Sequence, residues 1–232
     1  MLSLASGCQL AETNMTQHMP TADDLRRATQ ILRRGGVIAL PTDTQYALSG
    51  IATDDDAIAE IFRLKQRPAG ENLPVFLPPA RWREHLQQIA EPLDTRVLAL
   101  AQAAWPGALT LILNRRPDWR SRAVNGGTVA LRIPDHPTAL KLLDIVGQPL
   151  TGTSANLHGQ PAALSPDDIR QQLGNTVHIV PTGTLAPAGA PSTILECTGR
   201  TPRVLRLGAQ LAPKVGELLM QHWGLSEPDT VS

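Results

Sequence analysis

Apolar positions recur along this chain in two rhythms, and the rhythms alternate. Leu25, Ala28, Ile31 and Leu32 form the stripe of an amphipathic helix. Pro20-Thr21-Ala22-Asp23-Asp24 reads as its start, with Thr21 as cap and acids in the first turn, and Gly35-Gly36 ends it. The apolar run Val37 to Leu40 follows as a strand. Asp54 to Asp56 begins a second helix with Ile58, Ile61 and Phe62 inward. Leu73 to Leu77 reads as a strand, and Pro74 makes it either an edge strand or one that starts at the proline.

Residues 79–90 and 92–104 are predicted helical, and Trp105-Pro106-Gly107 breaks the second. Ala108 to Leu113 is a strand, residues 114–127 a polar loop containing Asn125-Gly126-Gly127, and Thr128 to Ile133 a strand. A helix over Pro137 to Val146, a short strand over Pro149 to Gly152 and a helix over Pro166 to Leu173 follow. The last strands are Val177 to Val180, Ser192 to Cys197 and Val204 to Leu207. Short apolar strands interleaved with helices predict an α/β fold with a mixed sheet. The Pro/Gly/Ala-rich segment 183–191 reads as a mobile loop.

Length and composition narrow this picture. The 232 residues suit one large domain or two small ones, and no linker divides them. Residues 1–18 read as a disordered tail, with Met15 or Met19 as an alternative start. Residues 19–210 then form the domain and 211–232 a C-terminal extension whose end, 221–232, frays. Net charge is zero, so no global field draws the chain to nucleic acid or to a membrane surface, although a local basic cleft is compatible with that balance. Aromatic residues make up 3% of the chain, too few for base-stacking platforms. Cys8 and Cys197 have no metal or disulfide spacing, which suits a reducing cytoplasm. No run approaches the roughly 18 apolar residues of a membrane span.

Five segments could carry chemistry. Pro41-Thr42-Asp43-Thr44-Gln45-Tyr46 sits at the carboxyl end of an apolar strand, where α/β sheets bind ligands; it also reads as a turn that satisfies its own backbone. Lys65 and Arg67 follow a helix end, either as dipole-complementing cations or as a pair converging on a polyphosphate. Thr151-Gly152-Thr153-Ser154-Ala155-Asn156 is a turn or a polar cradle. Thr128, Ala130 and Arg132 share one face of a strand, and an arginine there needs either a fixed aspartate or a ligand carboxylate. Ser192 and Arg206 complete the set. His136 and His158 lie near two of these segments without metal-pair spacing, and no Ser-His-Asp or Cys-His arrangement is recognisable.

Taken in order, Gly35–Thr44, Leu64–Pro68, Trp105–Leu111, Val129–Pro137, Thr153–Asn156 and Pro191–Ile194 resemble the YrdC-like family of L-threonylcarbamoyladenylate synthases, over about Asp23 to Gly208. The resemblance implies an open, twisted mixed α/β sheet with helices and a basic central cavity. It implies a nucleotidyltransferase that converts L-threonine, bicarbonate and ATP into threonylcarbamoyl-AMP and pyrophosphate, for the N6-threonylcarbamoyladenosine modification of tRNA. By position, Thr42, Tyr46, Arg132, Ser154 and Ser192 would hold L-threonine. Lys65, Arg67, Thr128, Asn156 and Arg206 would face ATP, with Lys65 and Arg67 stabilising charge in catalysis. Mg²⁺ would arrive with ATP, and contact with tRNA or a transfer complex would be transient. Ala47 stands where family members often have glycine, and an alanine there is familiar from the YciO-like branch. Glu71 stands where a basic residue is common, and Thr182 where an Asp-Gly pair is. The alternative expectation is a YciO-like paralogue, or a module binding tRNA or double-stranded RNA, with weak or no synthase activity.

Overall fold

The first helix forms as its sequence dictates. In the computed structural model, which describes residues 19–68, 70–208 and 212–225, helix α1 (Ala22–Arg33) opens with a reciprocal capping box. The Thr21 hydroxyl accepts from the Asp24 N–H at 3.2 Å, and the Asp24 carboxylate accepts from the Thr21 N–H at 2.8 Å. Leu25, Ala28 and Leu32 are buried on one face. Strand β1 (Ile38–Leu40) follows, buried on both faces, and pairs antiparallel with β2 (Ala47–Ser49). Strand β2 is absent from the sequence reading because three residues buried on both sides carry no alternation.

Helix α2 (Asp55–Lys65) starts on Asp54, whose Oδ1 accepts from the N–H groups of Asp56 and Ala57 at 3.0 Å each. It stops at Gln66, a non-glycine residue at φ +49°. After β3 (Val75–Phe76), the stretch 79–90 divides into a 3₁₀ turn at Pro79–Arg81 and helix α3 (Trp82–Ile89). Helix α4 (Thr95–Ala104) begins later than expected, on the Asp94 cap. Then come β4 (Leu109–Asn114), β5 (Thr128–Arg132), α5 (Pro137–Val146), β6 (Leu150–Thr151) and β7 (Thr153–Ser154). Helix α6 (Pro166–Leu173), β8 (His178–Ile179), β9 (Thr193–Glu196), β10 (Arg203–Arg206) and α7 (Pro213–Trp223) complete the described chain.

The strands divide between two mixed sheets. One has the order β7-β2-β1-β8 and the other β10-β9-β4-β5-β3-β6. Strand β3 is interior to the second sheet, so Pro74 marks its start and not an edge. The chain passes from one sheet to the other at Gly152, between β6 on β3 and β7 on β2. A Cβ there would lie 2.3 Å from the Phe76 ring, so only glycine fits the crossing. A large apolar core containing Leu48, Ile61, Leu77, Leu100, Leu111 and Leu131 packs the second sheet against α2, α3 and α4. A smaller one, around Leu25, Ile38, Leu142 and Val180, seals α1 and α5 onto β1.

Two segments expected to be loose make defined contacts. The segment 183–191 is tied down beside β1: the N–H groups of Ala188 and Gly189 donate to the carbonyls of Asp43 and Thr44 at 3.1 and 2.8 Å. Residues 221–223 belong to α7, where the Trp223 indole donates to the Arg200 carbonyl at 3.0 Å and stacks under Arg96. The expected tail at 1–18, Cys8 within it, and residues 226–232 lie outside the described residues. Cys197 is a free thiol, and burial pushes its pKa up to about 12. Among the described residues no helix is long and apolar enough to cross a membrane.

Candidate functional site

A cavity of about 280 Å³ opens between the two sheets. The first sheet contributes the 42–47 turn with Thr153 and Ser154, and the second contributes Phe76, Thr110, Ala130, Arg132 and Arg206. A larger groove of about 440 Å³ on the outer face of the 114–127 loop, lined by Arg115, Arg120 and Arg122, gathers none of the candidate residues.

The turn after β1 builds one wall. The Thr42 hydroxyl accepts from the N–H groups of Thr44 and Gln45 at 3.2 and 3.1 Å and donates to the Gln45 carbonyl at 2.5 Å. It is thus a turn-former whose side chain also lines the cavity. Tyr46 is fully buried in the same turn and also lines the cavity, and among the described residues its hydroxyl has no hydrogen-bond partner of good geometry. Burial raises its pKa to about 12, partly offset by the nearby Thr182 hydroxyl and the Arg170 charge.

Arg132 enters from the last position of β5. Its guanidinium donates to Asp43 Oδ1 at 2.6 Å, Thr44 Oγ1 at 2.9 Å and the Gly107 carbonyl at 2.9 Å. The fixed aspartate is therefore present, and it is Asp43. Three of the five N–H donors are used, leaving one on each terminal nitrogen. Burial lowers the pKa of this arginine, and the Asp43 carboxylate opposes that shift.

Arg206 reaches in from β10. Its Nε and Nη2 donate to the Ser192 carbonyl at 3.1 and 2.8 Å. The residue as a whole is exposed, yet its guanidinium tucks under the chain at Ser192, and the desolvation lowers its pKa. Among the described residues no carboxylate pairs with it. The Ser192 hydroxyl shares a hydrogen bond of 2.8 Å with Thr110, which also lines the cavity. Thr110 escaped the sequence reading, although a lone threonine within Leu109-Thr110-Leu111-Ile112 was its signal. Arg67 forms the remaining cationic wall and is paired with Glu71 at 2.5 Å.

Three candidates do not line the cavity. Lys65 is buried behind it, where Nζ donates to the carbonyls of Ser154 and Asn156 at 2.5 and 3.0 Å and to Asn156 Oδ1 at 2.8 Å. Burial, then the Arg67 charge, pulls its pKa down to about 8, while the three acceptors favour the charged form. Asn156 is the keystone of the same turn: its Oδ1 also accepts from the Ser154 hydroxyl at 2.6 Å, and its Nδ2 donates to the Gln160 carbonyl at 2.5 Å. Thr128 shares the Ala130 and Arg132 face of β5 but sits at its far end, opposite Asn114.

His136 caps α5, with Nδ1 accepting from the Thr138 N–H at 3.2 Å, and its Nε2 faces Thr182 and the Leu185 carbonyl. Among the described residues, three cations on the cavity wall, Arg67, Arg132 and Arg206, with Lys65 behind it, stand against two carboxylates, Asp43 and Glu71, so the site has a positive surplus. Among the described residues no group of three or more metal-ligating side chains gathers, so the cavity offers no protein-built metal cage.

A family model named Sua5_yciO_yrdC and described as "Telomere recombination" matches residues 30–208. A threonylcarbamoyl-AMP synthase of Bacillus subtilis is 35% identical over 198 residues, covering 84% of this chain and 56% of that protein. The chain thus spans little more than half of that relative. One of Vibrio cholerae is also 35% identical, over 196 residues, covering 82% of this chain and 100% of that protein. Among solved structures, Pyrococcus abyssi Sua5 complexed with L-threonine aligns with a TM-score of 0.77 at 28% identity, covering 89% of this chain and 62% of that one. Escherichia coli YciO aligns with a TM-score of 0.74 at 28% identity, covering 86% of this chain and 96% of that one.

Proposed function

Because the chain belongs to the Sua5/YciO/YrdC family, we propose that it is a threonylcarbamoyl-AMP synthase. It takes L-threonine, bicarbonate and ATP, and its product serves the threonylcarbamoyl modification of adenosine in tRNA. The observation that carries this reading is the convergence of Arg132 and Arg206 on one cavity, close enough for their charges to interact, with the Ser192 and Thr110 hydroxyls beside them.

The chemistry asks the protein for position and charge and for no covalent nucleophile. The threonine amine joins the bicarbonate carbon, and water leaves to give a carbamate. A carbamate oxygen then attacks the α-phosphorus, the bond to the β-phosphate breaks, and pyrophosphate departs. Arg132 offers the threonine carboxylate its two remaining N–H donors, with Thr44 and Ser192 as neighbouring hydroxyls. Arg67 and Arg206 face the negative charge that grows on the leaving pyrophosphate. Lys65 acts from behind the wall: it fixes the Ser154–Asn156 turn and adds charge to the field. Mg²⁺ would travel with ATP, held by phosphate oxygens and water. The cytoplasm, with its ATP and tRNA, is the natural setting.

The test is pyrophosphate release by the purified protein. Release that requires both threonine and bicarbonate supports the reading, and background release with both present sinks it. Glu71 against Arg67 specifically favours a second reading, a YciO-like member with slow turnover, and the same assay measures that rate.

A further inference from the structure

We propose that Glu71 is an internal competitor for the nucleotide phosphates, holding Arg67 until a polyphosphate displaces it and thereby setting the affinity for ATP. The inference rests on the reading of the cavity as an ATP site.

Both cavity arginines that carry a carboxylate partner are ion-paired, but the two pairs differ in how they are held. In the Arg132–Asp43 pair the side chains are 5% and 19% exposed. Asp43 Oδ1 also accepts from the Asp135 N–H at 3.0 Å, and Arg132 is braced by Thr44 and Gly107. That pair is part of the wall. In the Arg67–Glu71 pair the arginine is 18% exposed and the glutamate 41%. The contact to Arg67 Nε is the single hydrogen bond of the Glu71 carboxylate among the described residues.

Glu71 can therefore swing into water without breaking any other hydrogen bond of its side chain. Arg67 would keep its longer contact, 3.4 Å to the Asn72 carbonyl, and its place in the cavity wall. A half-solvated pair is weak because water and salt screen it. A polyphosphate carries several charges where Glu71 carries one, so it takes the guanidinium. Until Glu71 has moved, its charge opposes the incoming phosphates and lowers the affinity.

Calorimetric titration of Mg-ATP and, separately, L-threonine into wild type, Glu71→Gln, Arg67→Gln and the double variant tests this. Glu71→Gln is expected to bind ATP about twofold to fivefold more tightly. Its threonine affinity should be unchanged, and the gain should vanish in the Arg67→Gln background. Unchanged or weaker ATP binding by Glu71→Gln, beside measurable wild-type binding, overturns the proposal and leaves the ATP site standing. An equal gain in the Arg67→Gln background also overturns it, because the effect would not pass through Arg67. No ATP binding by any of the four would instead remove the nucleotide reading, and the proposal with it.

Discussion

Lys65 illustrates how much one side chain can be asked to do. A buried ammonium is costly unless its donors are satisfied, and here all three are: two carbonyls and an amide oxygen of the 154–156 turn. The same burial lowers its pKa to about 8, so its charge is at risk at mildly alkaline pH. The sign of the stability effect follows. The folded pKa lies below that of the unfolded chain, roughly 10.4, so between the two the unfolded state binds more protons. Folding is then penalised at low pH and relieved as pH rises through that window. Urea unfolding of wild type and Lys65→Met from about pH 7.5 to 10.5 should show wild type gaining on the variant as pH increases. A constant difference would mean that the three acceptors cancel the burial effect. At this scale the sequence was informative about residue type and mute about partners. Lysine, arginine and hydroxyls were legible at 42, 65, 67, 132 and 192, but the closeness of Asp43 to Arg132, 89 positions away, was not.

At the scale of elements, the crossing at Gly152 matters most for the site. It lets one short segment serve two sheets, with β6 on β3 and β7 on β2, and so opens the gap that becomes the cavity. Gly152→Ala forces a methyl group into the Phe76 ring. A destabilisation of about 1–3 kcal/mol is expected from overpacking, measurable as a lower urea midpoint. Adding Phe76→Leu should recover part of it, and a variant as stable as wild type would refute the steric account. Elements with strong local signals appear where the sequence predicts them. The α1 capping box and the α5 and α6 spans are examples, because caps and 3.6-residue periodicity are local physics. Strands of two or three residues, such as β2 and β7, are not, because what makes them strands is their partners.

For the whole molecule, a net charge of zero conceals a cavity with more cations than carboxylates. ATP affinity should therefore fall when salt is raised from about 0.05 to 0.5 M, while binding of zwitterionic threonine should change far less. Equal salt dependence of the two, measured by titration, would contradict a polyphosphate site built on surplus charge. The amino-acid sequence by itself determined the α/β class, the order of most elements, the family and the residue types that the chemistry needs. Each follows from short-range periodicity, capping or a motif written in contiguous residues. Only the tertiary structure decided which of those residues line the cavity. It drew Lys65 and Asn156 behind the wall, spent three donors of Arg132 on its own fold, set Glu71 against Arg67 and brought in Thr110. These outcomes depend on how two sheets close on each other, and burial and pairing across that gap join residues too far apart in sequence for any local pattern to record.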